Sequence, residues 1–259
     1  MHIRWLTIVL DFPAADLAAG KAFWCEVTGS ALSAWQGTAG ERGTLLPAHG
    51  DACLRVQRTG GGQHGCHPDL HVDPRAGSLD EAAAQASLLG ARVRRRSGER
   101  VVMASPGGLA FCLVPWAHEA AVPAATRLGT GGASRADQLC LDIPPGNFTA
   151  ECSFWAAMTG WELRPGRRPE FCYLERPAGL PVRLLLQRRD QAGPRDLVSA
   201  HADFACTGPR QLAVQHAALG AQALTTFPNW VVMADPAGRR YCLTARDPGT
   251  GKLQDRDAP

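Results

Sequence analysis

Apolar and polar positions alternate in short runs and recur every three or four residues in others, and the two patterns follow one another in a fixed order. Trp5–Leu10 is a run of β-branched and large apolar residues and predicts a strand. Asp11–Asp16 closes it and opens a helix, with Pro13 near the first turn. That helix carries Leu17, Phe23, Trp24 and Val27 and stops at Thr28–Gly29. Shorter extended pieces follow at Ala31–Trp35, Gly43–Leu46 and Ala52–Gln57. After a Gly-rich linker, Thr59–Gln63, a strand runs from His67 to Asp73, with Pro68 tolerated near its start or at an edge. Ser78 and Glu81 form a capping box ahead of a stripe made by Leu79, Ala82, Ala83, Ala86 and Leu89, which Gly90 ends. Ala91–Val93 then leads into a hairpin, Arg100–Leu113, whose two apolar runs flank Ser-Pro-Gly-Gly.

The whole series then returns. The second hairpin, Trp230–Leu243, repeats Val-Val-Met-Ala, the Pro-bearing turn and Cys-Leu at a spacing of 231 − 101 = 130. Leu10-Asp11-x-Pro13 matches Leu141-Asp142-x-Pro144, a spacing of 141 − 10 = 131. Phe23-Trp24 and Thr28-Gly29 match Phe154-Trp155 and Thr159-Gly160 at that same spacing. His67-x-Asp69 matches His201-x-Asp203 at 201 − 67 = 134. So nearly constant an offset marks an internal duplication. The expected organisation is one β-α-β-β-β, β-α-β-β-β domain at 1–118, a linker at 119–133, a second domain at 134–247 and a flexible tail at 248–259. Both domains are of mixed α+β class.

Composition narrows the function classes. A net charge of +3 over 259 residues is too small to argue for nucleic acid or an anionic membrane surface. The run Arg94-Arg95-Arg96 reads as a solvated strand end. Nine cysteines, an odd number without a CxxC pair, sit mostly in apolar runs and fit reduced thiols of a cytoplasmic protein. No apolar run approaches the ~18 residues a membrane span needs.

The motifs Leu-Asp-x-Pro, Phe-Trp…Thr-Gly, His-x-Asp, Leu-Gly-Ala and Val-Val-Met-Ala-x-Pro-x-Gly…Cys-Leu resemble the vicinal oxygen chelate (VOC) superfamily over residues 3–116 and 134–246. Within it they look like a tandem glyoxalase-like, bleomycin-resistance-like protein. The resemblance implies paired βαβββ modules that form a cupped mixed sheet in each domain. It implies a small molecule held in the cup, and in the metal-dependent relatives a divalent ion (Zn, Ni, Mn or Fe) on His and Glu ligands. Carried over residue by residue, the third ligand position falls on His67 and His201, and the fourth, usually Glu, on Cys112 and Cys242. The first falls near Leu6 and Asp137, and the second near Gln57 and Gln187. A leucine binds no metal and a neutral amide is a poor ligand for a hard cation, so the usual set is broken.

Two readings of the remaining residues stay open. His67, Asp69 and His71 share one face of a strand, as do His201 and Asp203. With Cys112 or Cys242 they could suit zinc, or they could simply hydrogen-bond one another. His71, present only in the first copy, reads as an ordinary polar strand residue. The expected ligand-binding residues are His67, Asp69, Gln57, His201, Asp203, Gln187 and Trp230, and the expected metal ligands His67, His201, Cys112 and Cys242. Trp35 and Trp161, like Trp230, are unmatched between the copies and are candidate pocket walls, whereas Trp24 and Trp155 are expected in the core. No residue is assigned a catalytic role. The readings are a small-molecule-binding protein of unknown ligand, a metal-dependent lyase, isomerase or dioxygenase, and a structural protein with filled cups, as monomer or homodimer.

Overall fold

A computed structural model describes residues 1–61, 64–130, 132–191 and 197–254. The end of the Thr59–Gln63 linker and the last residues of the tail lie outside that set. The first repeat runs β1 (Ile3–Pro13), α1 (Leu17–Thr28), β2 (Ala31–Leu32), β3 (Arg42–Leu46), β4 (Leu54–Thr59), β5 (Gly65–Val72), α2 (Leu79–Leu88), β6 (Arg92–Ser97), β7 (Arg100–Ala104) and β8 (Ala110–Pro115). After β9 (Thr126–Arg127) the second runs β10 (Ala133–Ile143), α3 (Phe148–Thr159), β11 (Glu162–Pro165), β12 (Phe171–Glu175), β13 (Arg183–Arg188), β14 (Ser199–Cys206), α4 (Pro209–Ala218), β15 (Gln222–Thr226), β16 (Trp230–Ala234) and β17 (Arg240–Thr244). The strand orders are β2-β3-β4-β1-β5-β8-β7-β6 and β11-β12-β13-β10-β14-β17-β16-β15, the same order twice, with β9 paired to β10. The parallel pairs β5/β8 and β14/β17 make both sheets mixed.

The local signals act as their chemistry requires. Gly29 and Gly160 end α1 and α3 at φ 57° and 71°, a left-handed conformation that a side chain resists. Ser78 and Glu81 close the capping box on α2. The Arg-rich β6 is exposed along most of its length, and charge on an edge strand discourages further pairing. Pro68 lies inside a strand that has neighbours on both sides, but the β5/β8 ladder begins only at Asp69, so its missing N–H removes no rung there.

Three boundaries differ from expectation. β1 continues through Pro13 and α1 starts only at Leu17, because Asp11–Pro13 stays extended. The linker is not a plain spacer: Thr126 and Arg127 pair with Ser134 and Ala133. The start of the tail is folded, since Arg246 bridges Leu253 and the Asp247 carboxylate accepts the Gly249 and Thr250 N–H groups.

Compactness cuts across the repeats. One unit comprises Met1–Val9, Cys66–Ala121 and Leu139–His201, and the other Leu10–Gly65, Val122–Gln138 and the chain from Ala202 onward. In the first unit, Phe111 on β8 packs against Phe154 and Trp155 of α3 at 5.9 and 5.3 Å. Glu151 of α3, fully buried, accepts the Gly107 N–H (2.6 Å) and the Trp155 indole N–H (2.7 Å). In the second unit, Trp24 of α1 stacks on Phe204 (5.4 Å) and meets Tyr241 edge-on (5.1 Å). Its indole donates to Asp235 at 2.8 Å. Trp24 and Trp155 are core residues, as expected.

Candidate functional site

On β5 the period of two sends Cys66, Leu70 and Val72 to one face and His67, Asp69 and His71 to the other. Asp69 is registered opposite Cys112 on β8, and Cys112 opposite Val102 on β7, which places Arg100, two residues before Val102, on the same face. The result is a polar cluster on the first repeat's sheet. The ligand atoms of His67, Asp69 and Cys112 all lie within 4.8 Å of one another. His67 Nε2 is 3.8 Å from one Asp69 oxygen, and the Arg100 guanidinium 3.8 Å from the other. His67, Asp69, His71 and Cys112 are between 0 and 6% exposed. Burial, with the Asp69 charge next, pushes the Cys112 thiol up to about 11, and His67 opposes this only in part.

His71 lies between two other polar side chains. Its Nε2 meets the Thr7 hydroxyl at 2.9 Å, and its Nδ1 lies 3.0 Å from Glu119 Oε1. Glu119 follows β8, in the stretch read as linker.

The second repeat is wired differently. On β10, Cys140 and Asp142 share a face. Asp142 Oδ2 lies 2.8 Å from Nδ1 of His201, and the Cys140 thiol donates to Gln187 Oε1 at 3.5 Å. The Cys140 sulfur is also within 4.8 Å of an imidazole nitrogen of His201. Beside them, Phe171 is registered opposite Gln187 and Tyr173 opposite Leu185, and the Arg183 guanidinium lies 4.2 Å over the Tyr173 ring. The His201 and Asp142 side chains are 14 and 23% exposed, and Phe171, Tyr173, Arg183, Leu185 and Gln187 are half-buried. A carboxylate fixes which imidazole nitrogen is presented and strengthens it as a base or acceptor. This face therefore offers an oriented imidazole, an amide and an aromatic–cation platform.

The other predicted residues have partners of their own. Gln57 donates to Asp11 at 2.9 Å, and Asp203 accepts from Gln138 at 3.0 Å. Cys242 is the register partner of Asp203 in the β14/β17 ladder. Trp230 stacks on Phe227 at 4.4 Å. Of the two other tryptophans expected as pocket walls, Trp35 is exposed and Trp161 buried.

Among the described residues, the positions carried over from the superfamily do not make up its His/Glu metal set. Leu6 is fully buried, and Asp137 accepts from Arg246 Nε at 2.6 Å. The group His67, Asp69 and Cys112 has donors of the type zinc takes. Against that, the Arg100 guanidinium beside the Asp69 carboxylate competes with a cation. Asp142, Arg100 and Glu119 escaped the sequence reading. Asp142 was visible as a repeat marker, two residues from Cys140, but its partner is 59 residues away.

The fold is shared with solved structures of low sequence identity. A 2,2',3-trihydroxybiphenyl 1,2-dioxygenase from Sphingomonas wittichii strain RW1 matches with a TM-score of 0.62 and 15% identity, over 99% of this chain and 97% of that one. An extradiol ring-cleaving dioxygenase from B. fuscum matches with a TM-score of 0.62 and 16% identity, over 100% and 75%. A Mn(II)-bound glyoxalase from Novosphingobium aromaticivorans matches with a TM-score of 0.58 and 17% identity, over 98% and 86%. At such identities the likeness speaks for the fold alone. No curated protein matches the chain by sequence. The profile of the glyoxalase-like domain family matches residues 7–114 and again 138–244. The chain thus belongs to the glyoxalase-like domain family of the VOC superfamily, with two copies of the domain in tandem.

Proposed function

We propose that this protein binds a small molecule on the polar sheet face of its second repeat, at Asp142, Gln187 and His201. One observation carries the reading: Asp142 and His201 are paired at 2.8 Å and remain partly exposed, whereas the first repeat's His67, Asp69 and Cys112 are enclosed. Phe171, Tyr173 and Leu185 supply apolar wall, and the oriented imidazole and Gln187 supply the few polar groups that fix a ligand's orientation. The other expected ligand-binding residues fall outside this site: His67 and Asp69 are enclosed on the first repeat's sheet, and Gln57, Asp203 and Trp230 belong to the other compact unit. The protein is read as a cytoplasmic monomer or homodimer. Among the described residues no helix is long and apolar enough to cross a membrane. The cysteines are free thiols, most of them buried.

The test is a thermal-shift series with uncharged aromatic probes that carry no carboxylate: phenol, benzyl alcohol and benzamide. A probe that binds raises Tm in proportion to ln(1 + [L]/Kd). His201→Ala is expected to abolish the rise, and His67→Ala to leave it. Loss of the rise in His67→Ala alone would sink the reading.

A second reading is a metal-dependent VOC enzyme, a lyase, isomerase or dioxygenase, using Zn, Ni, Mn or Fe. The gathering of His67, Asp69 and Cys112 within 4.8 Å favours it; His201 and Cys242, the other expected ligands, lie in different compact units and are not offered as one site. A bound ion would supply Lewis acidity toward a substrate oxygen. Metal analysis decides: less than 0.1 ion per chain after growth in supplemented medium removes this reading, and one ion per chain, lost in Cys112→Ser, establishes it.

A further inference from the structure

The first repeat's polar face is covered at His71 by the chain's own Trp116–Ala121 segment, and what the segment places there is a carboxylate. Glu119 turns back from beyond β8 so that Oε1 lies 3.0 Å from the buried imidazole, while the opposite ring nitrogen meets the Thr7 hydroxyl at 2.9 Å. The segment is held from several sides. Ala117 N–H donates to the other Glu119 oxygen at 3.0 Å, and the Trp116 indole N–H donates to the Glu119 carbonyl at 2.9 Å. The Arg4 guanidinium sits 4.6 Å over the Trp116 ring, and the His118 ring packs on Trp116 at 4.8 Å.

This closure is strained. His118 has φ 70°, and it is the one non-glycine residue with positive φ among those described. A side chain tolerates that conformation only where its surroundings enforce it, and such strain gathers at ligand clamps and switches. Burial alone would raise Glu119. The His71 imidazole and the N–H groups of Ala117 and Glu119 itself outweigh burial and hold it below the usual range, so the carboxylate stays charged in place. Nor does the scaffold require the contact. At the spacing of 134 that relates His67 to His201, His71 corresponds to Ala205, which carries no polar group.

We propose that Thr7 and His71 form a site for a small monocarboxylate ligand, and that Glu119 is its internal occupant, displaced when the Trp116–Ala121 segment swings away. The site is independent of the one proposed on the second repeat. The ligand's carboxylate takes the place of Glu119 Oε1 at His71 Nδ1, and its apolar part the place of the Glu119 methylenes. No bond is made or broken; one carboxylate exchanges for another, and Glu119 passes into water.

Propionate reproduces the Glu119 side chain from Cβ outward and is the probe. Calorimetry on the full-length Glu119→Ala chain is expected to show saturable propionate binding at least tenfold tighter than in the unaltered chain. Propionamide, of the same shape without charge, does not bind, and His71→Phe added to Glu119→Ala abolishes propionate binding. Equal affinity in the Glu119→Ala and unaltered chains, equal binding of propionamide, or binding that survives His71→Phe would each overturn the proposal. The unaltered chain gives a second measurement should Glu119→Ala fail to fold. High propionate is expected to red-shift the fluorescence that Trp116→Phe removes, saturably and at constant ionic strength. No saturable shift would count against the site.

Discussion

Trp24 and Trp155 hold matching places in the two repeats, and both indoles donate to a carboxylate, yet the carboxylate comes from different elements. For Trp24 it is Asp235, in the turn between β16 and β17, which also accepts the Ala237 and Arg239 N–H groups. In the first repeat that turn position, 235 − 130 = 105, is a serine. The acid for Trp155 is instead Glu151 on α3 itself, and it reaches the β7–β8 turn through the Gly107 N–H. The matching α1 position, 151 − 131 = 20, is glycine, where a Cβ would meet the Phe12 ring at 2.0 Å. Either side of the helix–hairpin contact can supply the acid, provided that the buried N–H groups find an acceptor. The polar sheet faces tell the opposite story. There the two repeats keep His-x-Asp and change its surroundings: Arg100 beside Asp69 and Glu119 on His71 in one, Asp142 on a partly exposed His201 in the other. Packing is preserved by moving a group, whereas the sites have diverged.

The largest expected effect tests the packing half of that contrast. Glu151→Ala strands two buried donors, the Gly107 and Trp155 N–H groups, and is expected to cost about 3–4 kcal/mol. Urea unfolding measures it, and Glu151→Gln, which retains one acceptor, is expected to cost about half as much. A loss under about 1 kcal/mol would mean that the relocated acid is incidental.

A somewhat smaller effect distinguishes the repeats by pH. His216 on α4 is buried with Nδ1 2.8 Å from the Tyr241 hydroxyl, and burial pushes its pKa down to about 4. The first repeat has Ala86 and Phe111 at these positions, 216 − 130 and 241 − 130. The unfolded chain takes up this proton near the ordinary 6.5, and the folded chain only near 4. The contribution is therefore whole above pH 6.5 and is lost as pH falls toward 4. It amounts to on the order of 3 kcal/mol at most. Denaturation midpoints across that window should flatten in His216→Phe, and an unchanged slope would assign the pH dependence elsewhere. The change at the ligand face is the smallest: Asp142→Asn leaves His201 in place but weakens its orientation, and about tenfold weaker probe binding is expected, or ~1.4 kcal/mol.

Much of the fold was legible because its signals are local. The hairpins, the Gly29 and Gly160 stops and the Ser78–Glu81 box each depend on residues within a few positions of one another, and the duplication displayed them twice. What escaped depends on register and long-range contact. Arg100 reaches Asp69 only through the successive β7/β8 and β8/β5 pairings. Glu119 lay in a stretch whose Ala- and Pro-rich neighbours read as a spacer, and nothing local ties it to His71, 48 residues earlier (119 − 71). His67, Asp69 and Cys112 were grouped from the period of two and the superfamily pattern together. For the second repeat the same reasoning named Cys242 and passed over Cys140, whose sulfur lies within 4.8 Å of a His201 ring nitrogen.

The central claim is that the open, aromatic-walled face is the second repeat's, at His201, and that His67 of the first repeat is enclosed. Imidazole ¹⁵N NMR, titrating the probe that gives the largest thermal shift, tests it most directly. The His201 resonances are expected to move and saturate with the probe while those of His67 stay fixed. Saturable movement at His67 with His201 unchanged would contradict the account.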